Sequence, residues 1–272
     1  MRDKSYLFVP GDRAERFDKA MGTKASVVIL DLEDAVAPEN KDLALATIGT
    51  WLQRKRNLAG LPRLFIRVND VNTPWYERDC ALLRDPSIAG VMLPKAQQVQ
   101  AVTALSDMLR PDQELIPLIE TVAGWDSARN IAIVARVSRL AFGSVDFCID
   151  AGIAEDGEQL NFVRTSLVLQ SRLAGVAPPI DGVSVDFRNE EQLKRDVSQS
   201  RKFGFGAKLC IHPSQIEAVN AGFAPEPADI AWAEKVILAV AEKGGGAIAV
   251  DGKLIDKPLL LRAQKIMEAC HQ

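Results

Sequence analysis

The chain has 272 residues, of which 47% are hydrophobic and 25% are charged, a composition typical of an ordinary globular protein. This length suits one large α/β barrel or two small domains, and it excludes a small scaffold that depends on disulfide bonds. The 33 basic and 36 acidic residues are intermixed and leave a net charge of −3, which argues against nucleic acid as a partner.

Two features of the sequence bear on its compartment. No apolar run approaches the roughly 18 residues that a membrane-spanning helix needs, and the N-terminal segment becomes charged again too soon for a secretory signal peptide. The cysteines show no pairing rhythm, as is usual for thiols in a reducing compartment; they are Cys80, Cys148, Cys210 and Cys270. We therefore expect a cytoplasmic protein with no membrane association.

Eight short apolar runs, each bounded by glycine, proline or an acidic or amide residue, predict eight β-strands. They are SYLFVPG, ASVVILDLED, RLFIRVN, GVMLPK, ELIPLIET, SRLAFGSVD, GVSVDF and AKLCIHP. Stretches with helical periodicity lie between them, for example over 39–55, 96–109 and 121–135. The strands are continuously apolar rather than alternating, which indicates parallel strands that helices cover on both faces.

Eight strand-and-helix units in about 220 residues predict an α/β protein of the (β/α)₈ TIM barrel type, for which roughly 250 residues is typical. A doubly wound open sheet is the alternative, but the first βα turn lacks a glycine-rich phosphate fingerprint. A helix over 225–243, a glycine-rich hairpin and a last helix from Pro258 follow. We predict a barrel over 1–224 and a C-terminal arm over 225–272, without an independent second domain.

Polar residues follow each predicted strand, and in a TIM barrel the C-terminal ends of the strands form the active-site mouth. The residues that would converge there are Gly11, Asp12, Asp31, Glu33, Asp34, Arg67, Asn69, Lys95, Glu120, Asp146, Asp186 and His212. A single polar residue at a strand end only marks where the chain leaves the core. Several carboxylates grouped with Arg67 and Lys95 around one opening indicate a functional site.

Glu120 and Asp146 end neighbouring predicted strands, so their carboxylates can meet at one ion. Mg²⁺ usually takes only one or two protein carboxylates and fills its other positions with water and substrate oxygens. The alternative is two surface acids that pair with basic residues, and the spacing does not separate the two. With only two histidines, His212 and His271, the chain lacks the material for a histidine-rich metal site or a Ser/His/Asp triad.

Eight motifs spread over essentially the whole chain carry a resemblance to a known family. They are LFVPGDRAERFDKA, VVILDLEDAVAPENK, IRVN, VMLPK, LIPLIET, AFGSVDF, KLCIHPSQI and DGKLIDKP. With these motifs the chain resembles the citrate lyase β-subunit-like branch of the HpcH/HpaI aldolase superfamily. The resemblance implies a Mg²⁺-dependent carbon–carbon lyase on a TIM barrel that acts on 3-hydroxyacyl thioesters as a homo-oligomer, a trimer or a dimer of trimers.

The resemblance also implies roles for residues at the mouth. The family's metal ligands correspond to Glu120 and Asp146. Its catalytic arginine corresponds to Arg67, which would stabilise negative charge on the thioester oxygen. Glu33 would support the metal or hold a water molecule. The backbone N–H groups of Ser144 and Val145 would bind the carboxylate of the 2-oxo acid. Lys95 could form a Schiff base as in class I aldolases, but the family favours a structural or electrostatic role.

A further catalytic role is implied in the C-terminal arm. The family's aspartate that reaches into a neighbouring subunit corresponds to Asp256, within KLIDKP, where the lyases more often have SMIDMP. The other interpretation of Asp256 is a helix N-cap close to Pro258.

The thioester carrier is expected to be free coenzyme A, because Ile211-His212-Pro213 stands where the acyl-carrier-protein enzyme has INP. Arg16 and Lys19 could contact the nucleotide phosphates, or they could simply belong to a solvated helix face. We predict cleavage of a short 3-hydroxyacyl-CoA, of the citramalyl-CoA or malyl-CoA type, to acetyl-CoA and a 2-oxo acid. The alternatives are a citrate lyase β-type subunit in a complex and a CoA-independent aldolase. Additional thioesterase activity is left open.

Overall fold

The computed structural model describes residues 3–54, 60–243, 248–250 and 253–270. Eight parallel strands follow one another around a barrel, and the first and last strands close it, with Tyr6 opposite Leu209. The strands are β1 (Ser5–Pro10), β2 (Val27–Asp31), β3 (Arg63–Arg67), β4 (Ile88–Leu93), β5 (Glu114–Ile119), β6 (Ala141–Phe142), β7 (Ile180–Asp181) and β8 (Ala207–Cys210). The TIM barrel prediction is confirmed, and closure rules out the open sheet.

Helices follow the strands and cover the barrel. They are α1 (Ala14–Met21), α2 (Lys41–Arg54), α3 (Tyr76–Cys80), α4 (Val99–Met108), α5 (Val122–Ala132), α6 (Ser144–Ala151), α7 (Asn161–Ala174), α8 (Glu190–Phe203) and α9 (Ile216–Gly222). The predicted helices over 39–55, 96–109 and 121–135 correspond to α2, α4 and α5, although Lys55 lies outside the described residues. Helix α5 begins where the Thr121 hydroxyl accepts the Gly124 N–H at 3.0 Å.

The seventh strand is the one strand that the sequence placed wrongly. The prediction was 182–187, whereas the structure has Ile180–Asp181, paired with Ala207 and Lys208 of β8. The chain leaves the ladder after Asp181, so the alternating valines that suggested a strand lie in the following loop. Asp186 therefore does not end a strand; it is exposed and accepts the Arg188 N–H at 3.0 Å in a turn.

The barrel interior is filled by side chains that alternate along the strands. This cluster contains Tyr6, Val27, Ile29, Phe65, Met92, Ile116, Leu118, Ala141, Ile180, Ala207 and Leu209. The residues between them face the helices, and all five residues of β2 are buried. Burial on both strand faces, which the continuous apolar runs predicted, is confirmed, and it leaves the strand ends as the place for polar groups.

The described chain forms two compact units, Asp3–Asn220 and a second that begins at Ala221, near the predicted boundary at 224. The second unit contains α10 (Pro227–Lys243), α11 (Lys257–Cys270) and a hairpin of two antiparallel strands, β9 (Ile248–Val250) and β10 (Lys253–Ile255). The hairpin prediction is confirmed by the antiparallel pairing, although the Asp251-Gly252 pair that suggested it lies outside the described residues. Among the described helices, none is long and apolar enough to cross a membrane.

Two glycines predict opposite responses to the same substitution. A Cβ at Gly90 in β4 would lie 2.3 Å from the Phe65 ring and 2.5 Å from the Glu114 carbonyl oxygen, so Gly90→Ala should destabilise by about 1–3 kcal/mol. A Cβ at Gly49 in α2 would come no closer than 3.9 Å to a neighbour, so Gly49→Ala should stabilise by about 0.5–1 kcal/mol. Urea unfolding of the two variants and the wild type measures both shifts. A Gly90→Ala protein as stable as the wild type would contradict this packing.

Candidate functional site

The C-terminal ends of β2, β3 and β5 and the start of α6 supply the polar residues of the mouth. Asp31 ends β2 and Arg67 ends β3, and the two are direct partners across the parallel pair. Glu120 follows the last residue of β5, and Ser144 follows β6 after one glycine. Because parallel strands end at one edge of the barrel, side chains far apart in sequence lie together.

Arg67 is held rigidly by carboxylates. Its Nε and Nη2 donate to the two oxygens of Asp31, at 2.7 and 2.6 Å, and its Nη1 lies 2.8 Å from Glu33 Oε2. Its guanidinium also lies over the Phe8 ring, 4.7 Å from the centroid. Burial alone would lower the pKa of Arg67, but Asp31 and Glu33 outweigh burial and raise it well above its usual range. The side chain is a permanent cation with a fixed orientation.

Two lysines hold Glu33 and the loop after β2 in place. Lys95 Nζ donates to Glu33 Oε1 at 2.5 Å, so Glu33 bridges Lys95 and Arg67. Lys41 is buried and donates to the carbonyl oxygens of Leu32 and Glu33 at 2.7 and 2.8 Å, which fixes the loop after β2. Burial lowers the pKa of Lys41, and the acidic residues around it act in the opposite direction.

Glu120 is the buried carboxylate of the mouth, with 1% of its surface exposed. Its Oε1 accepts the backbone N–H of Lys95 at 2.7 Å, while its Oε2 is buried and has no hydrogen-bond partner among the described residues. Burial, and then the nearby Glu33, raises the pKa of Glu120 to about 8. A buried acceptor without a donor is costly, and a positively charged ligand would satisfy it.

Helix α6 contributes its first turn to the site. Ser144 and Val145 are its first two residues, whose backbone N–H groups have no acceptor within a helix, and Asp146 is the third. The sequence had placed Asp146 at the end of a strand, but β6 ends at Phe142 and Asp146 belongs to the helix. The positive end of the helix dipole favours the Asp146 carboxylate and any bound anion.

The mouth opens into a cavity of about 370 Å³. Its polar wall holds Asp31, Asp34, Arg67, Glu120, Ser144 and Asp146. Its other wall is mainly apolar and includes Phe8, Leu118, Phe142, Val145, Val183, Val185, Leu209 and Ile211. A concave site with a few convergent charged groups and one strongly perturbed carboxyl is characteristic of a small-molecule active site.

The residues at the mouth fit a Mg²⁺ ion. Within the described part of the chain no group of three or more His, Cys, Asp or Glu side chains is arranged around one point. Mg²⁺ does not require such a group, because it often binds one or two carboxylates and otherwise water and substrate. Glu120 Oε2 faces the space that the missing Cβ of Gly143 leaves open, since a Cβ there would lie 2.6 Å from that oxygen. Glu120 and Asp146 are thus a suitable donor pair.

Two of the predicted site residues lie elsewhere in the barrel unit, and a third belongs to the second unit. Arg16 and Lys19 are both exposed on α1, as a solvated helix face would be, and neither is among the described residues that line the cavity. Asp256 is exposed and its Oδ1 accepts the Leu259 N–H at 3.2 Å, which is the geometry of an N-cap for α11. A cap bond occupies one oxygen of Asp256 and leaves the other available.

Sequence reasoning placed Asp31 at the mouth but gave it no role. The structure shows it as the anchor of the whole loop, because besides Arg67 it accepts the N–H groups of Glu33 and Ala35 at 2.9 and 3.1 Å. The signal that could have revealed it is the density of carboxylates in LDLED, which demands an adjacent cation. His212, also expected at the mouth, accepts the Ser214 N–H at 3.2 Å and caps the turn after β8.

Comparisons with known proteins agree with this geometry. A family model described as HpcH/HpaI aldolase/citrate lyase matches residues 4–213. A citrate lyase subunit beta-like protein of Deinococcus radiodurans is 32% identical, over 97% of this chain and 96% of the relative. A (3S)-malyl-CoA thioesterase of Cereibacter sphaeroides is 31% identical, over 97% and 93%. The crystal structure of CitE from Mycobacterium tuberculosis, in complex with magnesium, acetoacetate and coenzyme A, matches with a TM-score of 0.86 at 30% identity, over 99% and 98%.

Proposed function

The chain belongs to the HpcH/HpaI aldolase/citrate lyase family, and from this premise we propose that it is a Mg²⁺-dependent carbon–carbon lyase of short 3-hydroxyacyl-CoA thioesters. The substrate is of the citramalyl-CoA or malyl-CoA type, and the products are acetyl-CoA and a 2-oxo acid. The observation that carries this proposal is the buried Oε2 of Glu120, which has no hydrogen-bond partner within the described part of the chain and belongs to a residue that lines the cavity together with Asp146 and Arg67. The CitE structure with magnesium and coenzyme A supports the same assignment.

Glu120 and Asp146 would hold the ion. When bound, Mg²⁺ would supply a Lewis acid for the hydroxyl and the carboxylate of the portion of the substrate that becomes the 2-oxo acid. The N–H groups of Ser144 and Val145, at the positive end of α6, bind the carboxylate of that portion. In the reaction the substrate hydroxyl passes its proton to solvent water and becomes the carbonyl of the 2-oxo acid, the bond between the carbinol carbon and the thioester α-carbon breaks, and its electron pair moves to the thioester as an enolate.

Arg67 stabilises the enolate oxygen. Four contacts engage its guanidinium: two to Asp31, one to Glu33 and one of 3.5 Å from Nη1 to Asp34. Among the described residues, the second N–H of Nη2 is therefore the donor left for the thioester oxygen. Because the charge is already in place, no reorganisation is needed as the enolate forms. Glu33 acts through Arg67 in this scheme, since it holds Nη1. The α-carbon then takes a proton, and we assign that transfer to Asp256 of a neighbouring subunit.

The test is a substrate panel with purified protein and Mg²⁺, in which release of the 2-oxo acid and the fate of the thioester are measured together. Citramalyl-CoA, malyl-CoA and citryl-CoA are the panel, and equal amounts of 2-oxo acid and acetyl-CoA are expected from at least one. No cleavage of any member would overturn the proposal. Free CoA released in step with the 2-oxo acid would add hydrolysis of the product thioester. Free CoA with malate and without a 2-oxo acid would instead indicate the malyl-CoA hydrolysis that the name of the Cereibacter relative states, and it would overturn cleavage of that substrate.

Two other functions are distinguished by additional assays. A CoA-independent aldolase would condense pyruvate with an aldehyde and would not respond to added CoA. A citrate lyase β-type subunit would co-purify with an acyl carrier protein and would cleave the citryl thioester on that carrier.

The free cysteines of the described residues, including the exposed Cys270, suit the reducing cytoplasm in which we place the reaction.

We also propose that the active protein is a homo-oligomer, as the family resemblance implies. Large apolar side chains point outward from the C-terminal end of α5 and from α7: Ile133, Phe162, Leu169 and Leu173 are each more than half exposed. On α8, by contrast, the outward side chains are charged, and Lys194 pairs with Glu190 and Glu191. An apolar outer face on a barrel helix is typical of a surface that another subunit covers.

If Asp256 acts in the mouth of a neighbouring subunit, two inactive proteins should restore each other. Asp256→Asn removes the general acid and should lower turnover by about 10²–10⁴-fold, and Glu120→Ala removes a metal ligand. After subunit exchange, some mouths combine an intact metal site with an intact Asp256, so part of the activity should return. The steady-state rates of the mixture and of each variant alone measure this recovery of activity. No recovery despite proven exchange would mean that Asp256 acts within its own chain or only caps α11.

A further inference from the structure

Lys95 occupies a backbone conformation that its residue type rarely adopts. Its φ is +46°, in the left-handed region, where non-glycine residues are uncommon because the Cβ crowds the backbone. Such strain persists only where the surroundings enforce it, and it concentrates at functional sites. The conformation turns the Lys95 N–H toward Glu120, whose Oε1 accepts it at 2.7 Å.

The chain just after Lys95 is held firmly in place. The Ala96 N–H donates to the Leu118 carbonyl oxygen of β5 at 3.1 Å. The Ala96 carbonyl oxygen packs against Gly124 of α5 so closely that a Cβ on that glycine would lie 2.6 Å from it. These contacts leave Lys95 little freedom to relax to a negative φ, and they place its N–H rigidly beside β5.

The side chain of Lys95 contacts a second carboxylate, that of Glu33. Its ammonium contacts Glu33 Oε1 at 2.5 Å, and the other oxygen of Glu33 lies 2.8 Å from Arg67 Nη1. One residue therefore touches a carboxylate of the metal pair through its backbone and the partner of the catalytic arginine through its side chain. The residue itself does not line the cavity described above.

We propose that Lys95 is a positioning residue with two separable roles, an inference that rests on the proposed metal site. Its left-handed backbone holds Glu120 by Oε1, so that Oε2 is the oxygen presented to the cation. Its ammonium holds Glu33 against Arg67, so that the guanidinium keeps its orientation toward the thioester oxygen. The backbone role governs metal affinity, and the side-chain role governs turnover.

Three substitutions separate these roles. Lys95→Gly keeps the N–H and accepts the positive φ, Lys95→Val keeps the N–H but resists the positive φ, and Lys95→Met removes only the charge. Mg²⁺ affinity, measured by calorimetry without substrate, should stay within about threefold of the wild-type value in Lys95→Gly and Lys95→Met. It should fall by about 10–100-fold for Val, the range observed when the outer partner of a metal ligand is lost.

Kinetics test the side-chain role. Lys95→Met should lower kcat by about 10–100-fold with saturating Mg²⁺, at a nearly unchanged Mg²⁺ affinity, and Lys95→Arg should recover part of the loss because it restores a cation near Glu33. A general loss of structure would instead lower Mg²⁺ affinity and kcat together. Thermal unfolding of each variant identifies any that fail to fold.

Arg136 provides the matched control, because it is the other described non-glycine residue with a positive φ, at +64°, and its side chain contacts Ser106 and Arg110 carbonyl oxygens. Arg136→Val should lower the melting temperature as much as Lys95→Val does but leave Mg²⁺ affinity unchanged. Equal Mg²⁺ affinity in wild type, Lys95→Gly and Lys95→Val would overturn the backbone role. An unchanged kcat in Lys95→Met would overturn the side-chain role. A wild-type protein that binds no Mg²⁺ would overturn the metal site and this inference with it.

Discussion

Glu120→Gln is expected to abolish measurable Mg²⁺ binding and to lower turnover by at least about 100-fold, because loss of an outer partner of a metal ligand alone costs 10–100-fold. The substitution keeps the size of the side chain, and its amide oxygen can still accept the Lys95 N–H. The buried carboxylate lies near Glu33 and Asp146, so its removal relieves repulsion. The metal-free variant should therefore be at least as stable as the metal-free wild type. Calorimetric titration with Mg²⁺ and urea unfolding provide the two measurements.

The control for this prediction is Asp126→Asn, which neutralises an exposed carboxylate of α5. It should change neither Mg²⁺ affinity nor turnover. Asp146→Asn should resemble Glu120→Gln in both measurements. If Glu120→Gln bound Mg²⁺ as tightly as the wild type, Glu120 would not be a ligand, and its buried carboxyl would need another explanation.

Asp181→Ala is expected to lower the free energy of unfolding by about 3–5 kcal/mol, the usual cost of leaving a buried charge without its partner. Asp181 is 3% exposed, and its Oδ1 accepts Arg164 Nε at 3.1 Å and the Gly182 N–H at 2.9 Å. Its other oxygen accepts the Ser200 hydroxyl, and Lys208 is buried nearby. The substitution leaves two cations and two donors without this acceptor. Urea unfolding followed by circular dichroism measures the loss.

The pH dependence of the same variant series has a definite sign. Burial alone would raise the pKa of Asp181, but Lys208, Arg164 and the hydrogen bonds outweigh burial and lower it. A carboxyl with a lower pKa in the folded state stabilises the fold above its unfolded value of about 3.9, and this contribution disappears as the pH falls through the folded-state value. The difference in the free energy of unfolding between wild type and Asp181→Ala should thus be full at pH 7 and should shrink in acid.

Asp156→Ala is the comparison for this prediction. Asp156 contacts the same Arg164, with oxygens 2.8 and 2.9 Å from Nη2, but its side chain is 29% exposed. Water can replace a partly exposed carboxylate, so this substitution should cost less than half as much. Equal losses for Asp156→Ala and Asp181→Ala would show that burial does not set the strength of these contacts.

The barrel could be predicted from the sequence because its signal is local and repeated. Runs such as VVILD in β2 are apolar at every position, and only strands covered on both faces require that. The prediction of β7 failed because this local signal is absent there. Only Ile180 and Asp181 join the ladder, and they are not part of a longer apolar run. The valines at 183 and 185 alternate like a strand but line the mouth cavity instead.

The site could be predicted in part. Glu120 and Arg67 follow directly from the rule that polar residues gather where parallel strands end, and the structure brings them together. The left-handed conformation of Lys95 could not be foreseen, because lysine carries no preference for it and contacts with β5 and α5 enforce it. The role that we propose for Asp256 requires a second copy of the chain, which no pattern within one sequence describes.

The crowding of carboxylates around Arg67 has a consequence for the order of events in catalysis. Asp31, Glu33, Asp34, Glu120 and Asp146 face the cations Arg67, Lys41 and Lys95. Burial raises the pKa of Glu120 to about 8, so at pH 7 the mouth without the ion carries between one and two surplus negative charges. A divalent cation favours the ionised form of Glu120 and cancels both charges. A 2-oxo acid that approached the vacant mouth would be repelled, whereas after the ion has entered it meets a neutral site. The cation should therefore bind first and the organic acid second, and the acid should in turn delay departure of the cation.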